Sequence, residues 1–157
     1  MEINKNMIYF SGRIEKLKFE LKRGNGHLGS YILDRIRWHL NPRLKHISKF
    51  PTHVDIETSS ACNLNCPMCY TVTDEFKEGV SRMHMDFELF KKLVDECASY
   101  SSNYSIRLSW RGEPFLHPKF DEMVSYAKKA GIKEVSTLTH GGFLTPERFE
   151  KLMKAGL

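Results

Sequence analysis

Val54-Asp55-Ile56-Glu57, followed after a short gap by Cys62-Asn63-Leu64-Asn65-Cys66-Pro67-Met68-Cys69, decides how the rest of the chain is read. Thr52 to Thr58 alternates polar and apolar residues and is rich in β-formers, which predicts a strand. The loop behind it carries three of the chain's 4 cysteines in the spacing C-x3-C-x2-C. Three thiolates so close in sequence can converge on one metal centre, and three ligands leave one position open for chemistry. A disulfide framework fits poorly. One of the three cysteines would be left over, and Met1 to Phe10 is polar, without the apolar stretch of a secretory signal. Structural zinc is the rival reading, but such sites usually add a second cysteine pair or a histidine. The fourth cysteine, Cys97, falls among Phe87, Phe90, Leu93 and Val94 in a predicted helix, where it reads as a small core hydrophobe.

The same strand–loop–helix pattern repeats downstream. Asp86 offers an N-cap to a helix over Phe87 to Tyr100. Tyr104 to Trp110 reads as a second strand, with Ile106 and Leu108 on one face and Arg107 and Ser109 on the other. Phe120, Met123, Val124 and Ala127 form the stripe of a second helix, closed by Gly131. Glu134 to Thr139 is a third strand. Thr145 caps a third helix, Pro146 takes its first position, and Gly156 ends it. Successive βα units imply an α/β fold with a parallel sheet and right-handed crossovers. Ligands of such sheets gather at the C-terminal strand ends. There the chain places Cys62–Cys69, Gly112-Glu113-Pro114 and Thr139-His140-Gly141, which points to one shared site.

The 157 residues suffice for about one ordinary domain, and 41% apolar with 27% charged residues is a globular composition. No apolar run approaches the ~20 residues of a membrane span. Cysteine usage suggests a reducing, cytoplasmic setting. The net charge of +5 is uneven. Residues 1–50 hold 11 Lys/Arg against 4 Asp/Glu, and residues 51–157 hold 13 against 15. We therefore divide the chain into a basic, largely helical N-terminal extension, 1–50, and three βα units, 51–157. Within the extension Leu28, Ile32, Ile36 and Leu40 recur every four residues, an amphipathic helix that Asn41-Pro42 is expected to stop. Its apolar stripe is expected to pack on its own protein, with a membrane surface as the other reading. Its charges are scattered rather than blocked, which reads as a solvated face; an anionic partner is the alternative. Gly24-Asn25-Gly26 reads as a turn.

C-x3-C-x2-C resembles the cluster-binding motif of radical S-adenosylmethionine (radical SAM) enzymes. Gly112-Glu113-Pro114 with Phe115-Leu116-His117-Pro118, and Thr139-His140-Gly141-Gly142-Phe143-Leu144, resemble further motifs of that family in its order and approximate spacing. The likeness covers roughly residues 50 to 157 and is nearest in flavour to members with a SPASM or twitch extension.

The resemblance implies the first half of a partial TIM barrel, with the C-terminal half of the core missing from this chain. It implies a four-iron, four-sulfur cluster on Cys62, Cys66 and Cys69, with S-adenosylmethionine on the fourth iron. It further implies reductive cleavage to methionine and a 5′-deoxyadenosyl radical, which takes a hydrogen from an unknown substrate, small molecule or peptide. An external one-electron reductant of the flavodoxin or ferredoxin type would supply the electron. Cofactor contacts fall on Met68, Gly112, Glu113, Thr139 and His140, with Glu113 facing the methionine amine. Tyr70 either covers the cluster or only packs. Two positions depart from the family pattern: Arg111 precedes Gly112 where a glycine is common, and His140 replaces an asparagine. Arg111 is expected either at an anionic group or in a structural ion pair, and His84 and His117 have weaker claims to a role. The alternative to an enzyme is a non-catalytic iron–sulfur or zinc-binding module.

Overall fold

The computed structural model describes residues 12–23, 26–101 and 103–157, so the expectations on Met1 to Phe10 and on Gly24-Asn25 lie outside the described residues. The chain forms two compact units, the second running Ile47–Leu157.

In the first unit, helix α1 spans Arg13–Arg23 and α2 spans Leu28–Leu44. The expectation that Asn41-Pro42 stops α2 is corrected: the helix runs through Pro42. A proline in the last turn removes only one terminal hydrogen bond. Lys45 then adopts the left-handed conformation at φ 51°, and the His46 N–H closes the end on Asn41 O at 2.9 Å. Among the described residues the Leu28/Ile32/Ile36/Leu40 stripe is not covered. All four are exposed, and the buried positions of α2 are Tyr31 and Asp34. Arg35 holds that opposite side, bonding the Asp34 carboxylate at 2.6 Å and lying over the Tyr31 and Trp38 rings.

The second unit is a three-stranded parallel sheet in the order β1 (His53–Asp55), β2 (Ser105–Arg107), β3 (Glu134–Ser136). Helix α4 (Phe87–Ser99) follows β1, α5 (Phe120–Lys129) follows β2, and α6 (Pro146–Ala155) follows β3. The strands are shorter than the alternation predicts, because the chain leaves the ladder to form the site loops. The predicted caps stand. The Asp86 carboxylate accepts from Glu88 and Leu89 N–H at 3.0 Å each, and Thr145 Oγ1 accepts from Arg148 N–H at 3.2 Å. A short helix not anticipated, α3 (Asp74–Gly79), sits behind the cysteine loop and is capped by Thr73.

Register separates two chemistries. Val54, Ile106 and Val135 lie in one row across the sheet. With Ile56 and Leu108 they meet Phe90, Val94 and Cys97 of α4 and Phe120, Met123, Val124 and Ala127 of α5 in the core. Burying side chains of that size contributes roughly 1.5–3 kcal/mol each. The other sheet face is polar. His53 pairs with Ser105 and Ser105 with Glu134, and Asp55 pairs with Arg107 and Arg107 with Ser136. Parallel sheets are usually apolar on both faces. This one instead carries a hydrogen-bonded row in which His53 bonds Ser105 Oγ at 2.7 Å and Asp55 at 2.9 Å, and Arg107 bonds Asp55 at 2.6 Å.

Candidate active site

All three sequence motifs lie at the C-terminal ends of the strands and touch one another. Gly112 is the hinge. It has φ +65°, where an L side chain is strained. An added Cβ would clash with Ser59 O, lie 2.7 Å from Ala61 O and 2.9 Å from Ser60 C. The turn after β2 therefore sits directly on the backbone that enters the cysteine loop. The Glu113 N–H continues the contact, donating to Ala61 O at 2.8 Å.

Glu113 is 2% exposed, yet it is a carboxylate. A buried charge needs several donors. Phe115 N–H and Thr139 Oγ1–H donate to Oε1 at 3.0 and 2.7 Å, and His140 N–H donates to Oε2 at 3.1 Å. His140 adds its ring. Nδ1 accepts from Gly142 N–H at 3.0 Å, which leaves Nε2 to carry the proton. That Nε2–H faces Asn63 Oδ1 at 3.0 Å and Glu113 Oε2 at 3.3 Å. Asn63 lies between the first two cysteines, so His140 ties the third motif to the first through the second.

The cysteines are free thiols. Cys66 is exposed, and Cys62 and Cys69 are half-buried. Cys69 N–H donates to Cys66 O at 2.9 Å, and Leu64 N–H points at Cys62 Sγ at 3.4 Å. The Thr71 hydroxyl, 3.1 Å from Cys69 Sγ, holds that thiol below its ordinary pKa by favouring the thiolate. The three side chains share one loop without closing on a point: among the described residues, no three His, Cys, Asp or Glu groups are arranged to hold a metal ion. Cys97 lies in the core as expected, and burial pushes its pKa up.

The other candidates divide clearly. Met68 is 86% exposed on the loop. Tyr70 packs edge-on against buried Phe76 of α3 at 5.7 Å. Arg111 takes the ion-pair reading. Its guanidinium bonds both oxygens of Glu57, at 2.7 and 3.0 Å, and lies 5.2 Å from the Phe76 ring centre. That pairing raises the Arg111 pKa. His117 is buried and structural: Nε2–H donates to Met85 O at 2.9 Å, and Nδ1 accepts from Lys119 N–H at 3.0 Å. Desolvation lowers its pKa. His84 bonds Ser59 Oγ at 3.1 Å. Sequence reasoning missed Asn63, Glu57 and Thr71. For Glu57 alone a signal existed, the acidic residue two places beyond Asp55 on the same strand face.

Comparison with known proteins identifies the family. A family profile, the Radical SAM superfamily, matches residues 56–157. The chain is 35% identical over 102 residues to a tungsten-containing aldehyde ferredoxin oxidoreductase cofactor-modifying protein of Pyrococcus furiosus, covering 65% of this chain and 27% of that protein. It is 33% identical over 107 residues to an AdoMet-dependent heme synthase of Methanosarcina barkeri, covering 68% of this chain and 29% of that one. The crystal structure of BtrN in complex with AdoMet and 2-DOIA superposes with a TM-score of 0.59 at 26% identity, over 71% of this chain and 44% of BtrN. The chain thus spans under a third of those curated relatives and under half of BtrN. Related family members use a four-iron, four-sulfur cluster and S-adenosylmethionine. With the profile spanning the cysteine loop, the Gly-Glu-Pro turn and the third strand's end, the chain belongs to the radical SAM superfamily.

Proposed function

We propose that Cys62, Cys66 and Cys69 hold a four-iron, four-sulfur cluster and that Gly112, Glu113, Met68, Thr139 and His140 line the place of S-adenosylmethionine beside it. The observation that carries this reading is the closed circuit Asn63–His140–Glu113–Ala61, which joins the cysteine loop to the other two motifs. The donor set fits the group. Three unpaired thiols lie on one loop, one of them with a lowered pKa, and thiolates are the ligands such clusters take. Held by Cys62, Cys66 and Cys69, such a cluster would supply the single electron that reductive cleavage of S-adenosylmethionine requires. The chain's own residues position and orient. Gly112 lets the turn approach the cysteine loop, and Glu113 presents a desolvated carboxylate suited to an ammonium. Thr139 and His140 fix that carboxylate's rotamer. A flavodoxin- or ferredoxin-type donor in a reducing cytoplasm and a substrate of small-molecule or peptide class complete the reaction.

Anaerobic reconstitution followed by iron and sulfide analysis tests the reading. The chain is expected to hold about four irons. The triple Cys62/Cys66/Cys69→Ala variant is expected to hold none, and Cys97→Ala to match the parent. Retention of iron by the triple variant, or zinc in place of iron and sulfide, overturns it.

A further inference from the structure

The N-terminal unit inverts the usual helix arrangement. In α2 the apolar stripe faces outward, with Leu28 at 40%, Ile32 at 49%, Ile36 at 47% and Leu40 at 43% exposure, while Tyr31 and Asp34 on the other side are buried. In α1, Ile14, Leu17 and Leu21 share one face by their i, i+3, i+7 spacing, and all three are exposed. Exposed basic residues accompany both stripes: Lys18 and Lys22 on α1, Arg43 on the last turn of α2, and Lys45 at its cap. Apolar stripes left exposed on two helices mark an interaction site.

Charge selects the occupant. Residues 1–50 carry 11 Lys/Arg against 4 Asp/Glu. A second copy of the unit would bring two such basic segments together and repel. Nucleic acid would satisfy the charge and leave the Leu/Ile stripes wet. An anionic bilayer surface satisfies both: headgroups meet the basic residues, and the stripes enter the headgroup–acyl boundary. No described helix is long and apolar enough to cross a membrane, which suits helices lying in the surface plane. We propose that the α1–α2 unit is an interfacial anchor that places this protein on anionic membranes, independently of the chemistry proposed for the second unit.

Flotation of the full chain with vesicles of phosphatidylcholine alone and with 30% phosphatidylglycerol (a mixture of roughly three in ten anionic lipids) decides it. Binding is expected on the anionic vesicles, falling as salt rises. Lys18→Ala with Lys22→Ala should weaken it roughly 25-fold, about fivefold per basic residue near the surface. Ile32→Lys with Ile36→Lys adds charge yet removes the stripe, so it separates insertion from simple attraction. It should bind at least tenfold more weakly if apolar burial contributes. Circular dichroism checks that both variants fold. The proposal is overturned if the parent chain does not float with anionic vesicles, if it floats equally with neutral ones, if the Ile→Lys variant binds as tightly as the parent, or if sedimentation shows a stable dimer that hides the stripe. Iron content is read on the same samples, so failure of the anchor and failure of the cluster assignment are separate results.

Discussion

Replacing Gly112 by alanine tests whether the turn after β2 truly rests on the cysteine loop. Two costs arise. The residue has φ +65°, where an L side chain costs about 1–2 kcal/mol. The new Cβ would also overlap Ser59 O and come within 2.7 Å of Ala61 O and 2.9 Å of Ser60 C, all backbone atoms that cannot swing away. Overpacking of that kind adds about 1–3 kcal/mol, and pushing the turn outward strains the Glu113 N–H to Ala61 O bond as well. Gly141 is the internal control. It has φ +77°, and nothing lies within 4 Å of a Cβ built there. Gly141→Ala should therefore show the conformational cost alone. Urea unfolding of both variants measures the difference. An excess loss of about 1–3 kcal/mol for Gly112→Ala corresponds to a midpoint roughly 1 M lower than for Gly141→Ala, given ordinary urea slopes. Iron incorporation should fall in Gly112→Ala and hold in Gly141→Ala. Equal midpoints would refute the contact argument, since only the strain would then be real.

Glu113→Gln turns one acceptor oxygen into a donor facing an existing donor, so it should cost about 1.5–3 kcal/mol of stability and weaken S-adenosylmethionine binding about tenfold by calorimetry on the reconstituted protein, with iron content unchanged. Arg111→Lys loses the two-point grip on Glu57; because Arg111 is 36% and Glu57 21% exposed, solvent screening limits the loss to under about 1 kcal/mol, and a cycle with Glu57→Gln should give coupling of that size. His117 is buried with its pKa lowered below 6.5, so the folded state resists the proton that the unfolded state accepts. Its stabilising effect is full above pH 6.5 and is lost as pH falls from there through the lowered folded value; His117→Gln should flatten the stability profile in that window.

What the sequence makes legible is what local chemistry controls. The caps at Asp86 and Thr145 work through their own side chains, and the apolar stripe Phe120/Met123/Val124/Ala127 has only one core to enter. Cys97 follows from its neighbours in the same way. Strand ends were overestimated because Thr52–Thr58 and Tyr104–Trp110 keep alternating after the backbone has left the ladder, and alternation does not register where hydrogen bonding stops. The α2 stripe is a separate case: periodicity says that a face is apolar, not that anything covers it. Arg35, over the Tyr31 ring at i,i+4 and the Trp38 ring at i,i+3 and bonded to Asp34, organises the opposite side by ordinary helical spacing, a signal that a reading centred on the apolar stripe passes over. In the site, the three motifs were visible one at a time. Asn63 was not, because an asparagine between two cysteines carries no signal until a histidine 77 positions away is known to meet it.

That long-range contact also explains why histidine can stand at position 140. A carboxylate has about four lone-pair sites. Glu113 meets Phe115 N–H and Thr139 Oγ1–H on one oxygen and His140 N–H on the other, all at 3.1 Å or less. The ring Nε2–H gives its hydrogen bond to Asn63 Oδ1 at 3.0 Å and only lies near Oε2, at 3.3 Å. Any ammonium that approaches this carboxylate therefore meets three hydrogen bonds and one neighbouring ring. The three donors are two backbone N–H groups of the turn and the strand end and one half-buried hydroxyl. The ring can swing clear of Glu113 and keep Asn63, so its displacement leaves no polar group unpaired. His140 thus sits beside the carboxylate's last lone-pair site without occupying it, and its bond to Asn63 keeps the Gly-Glu-Pro turn and the cysteine loop in register.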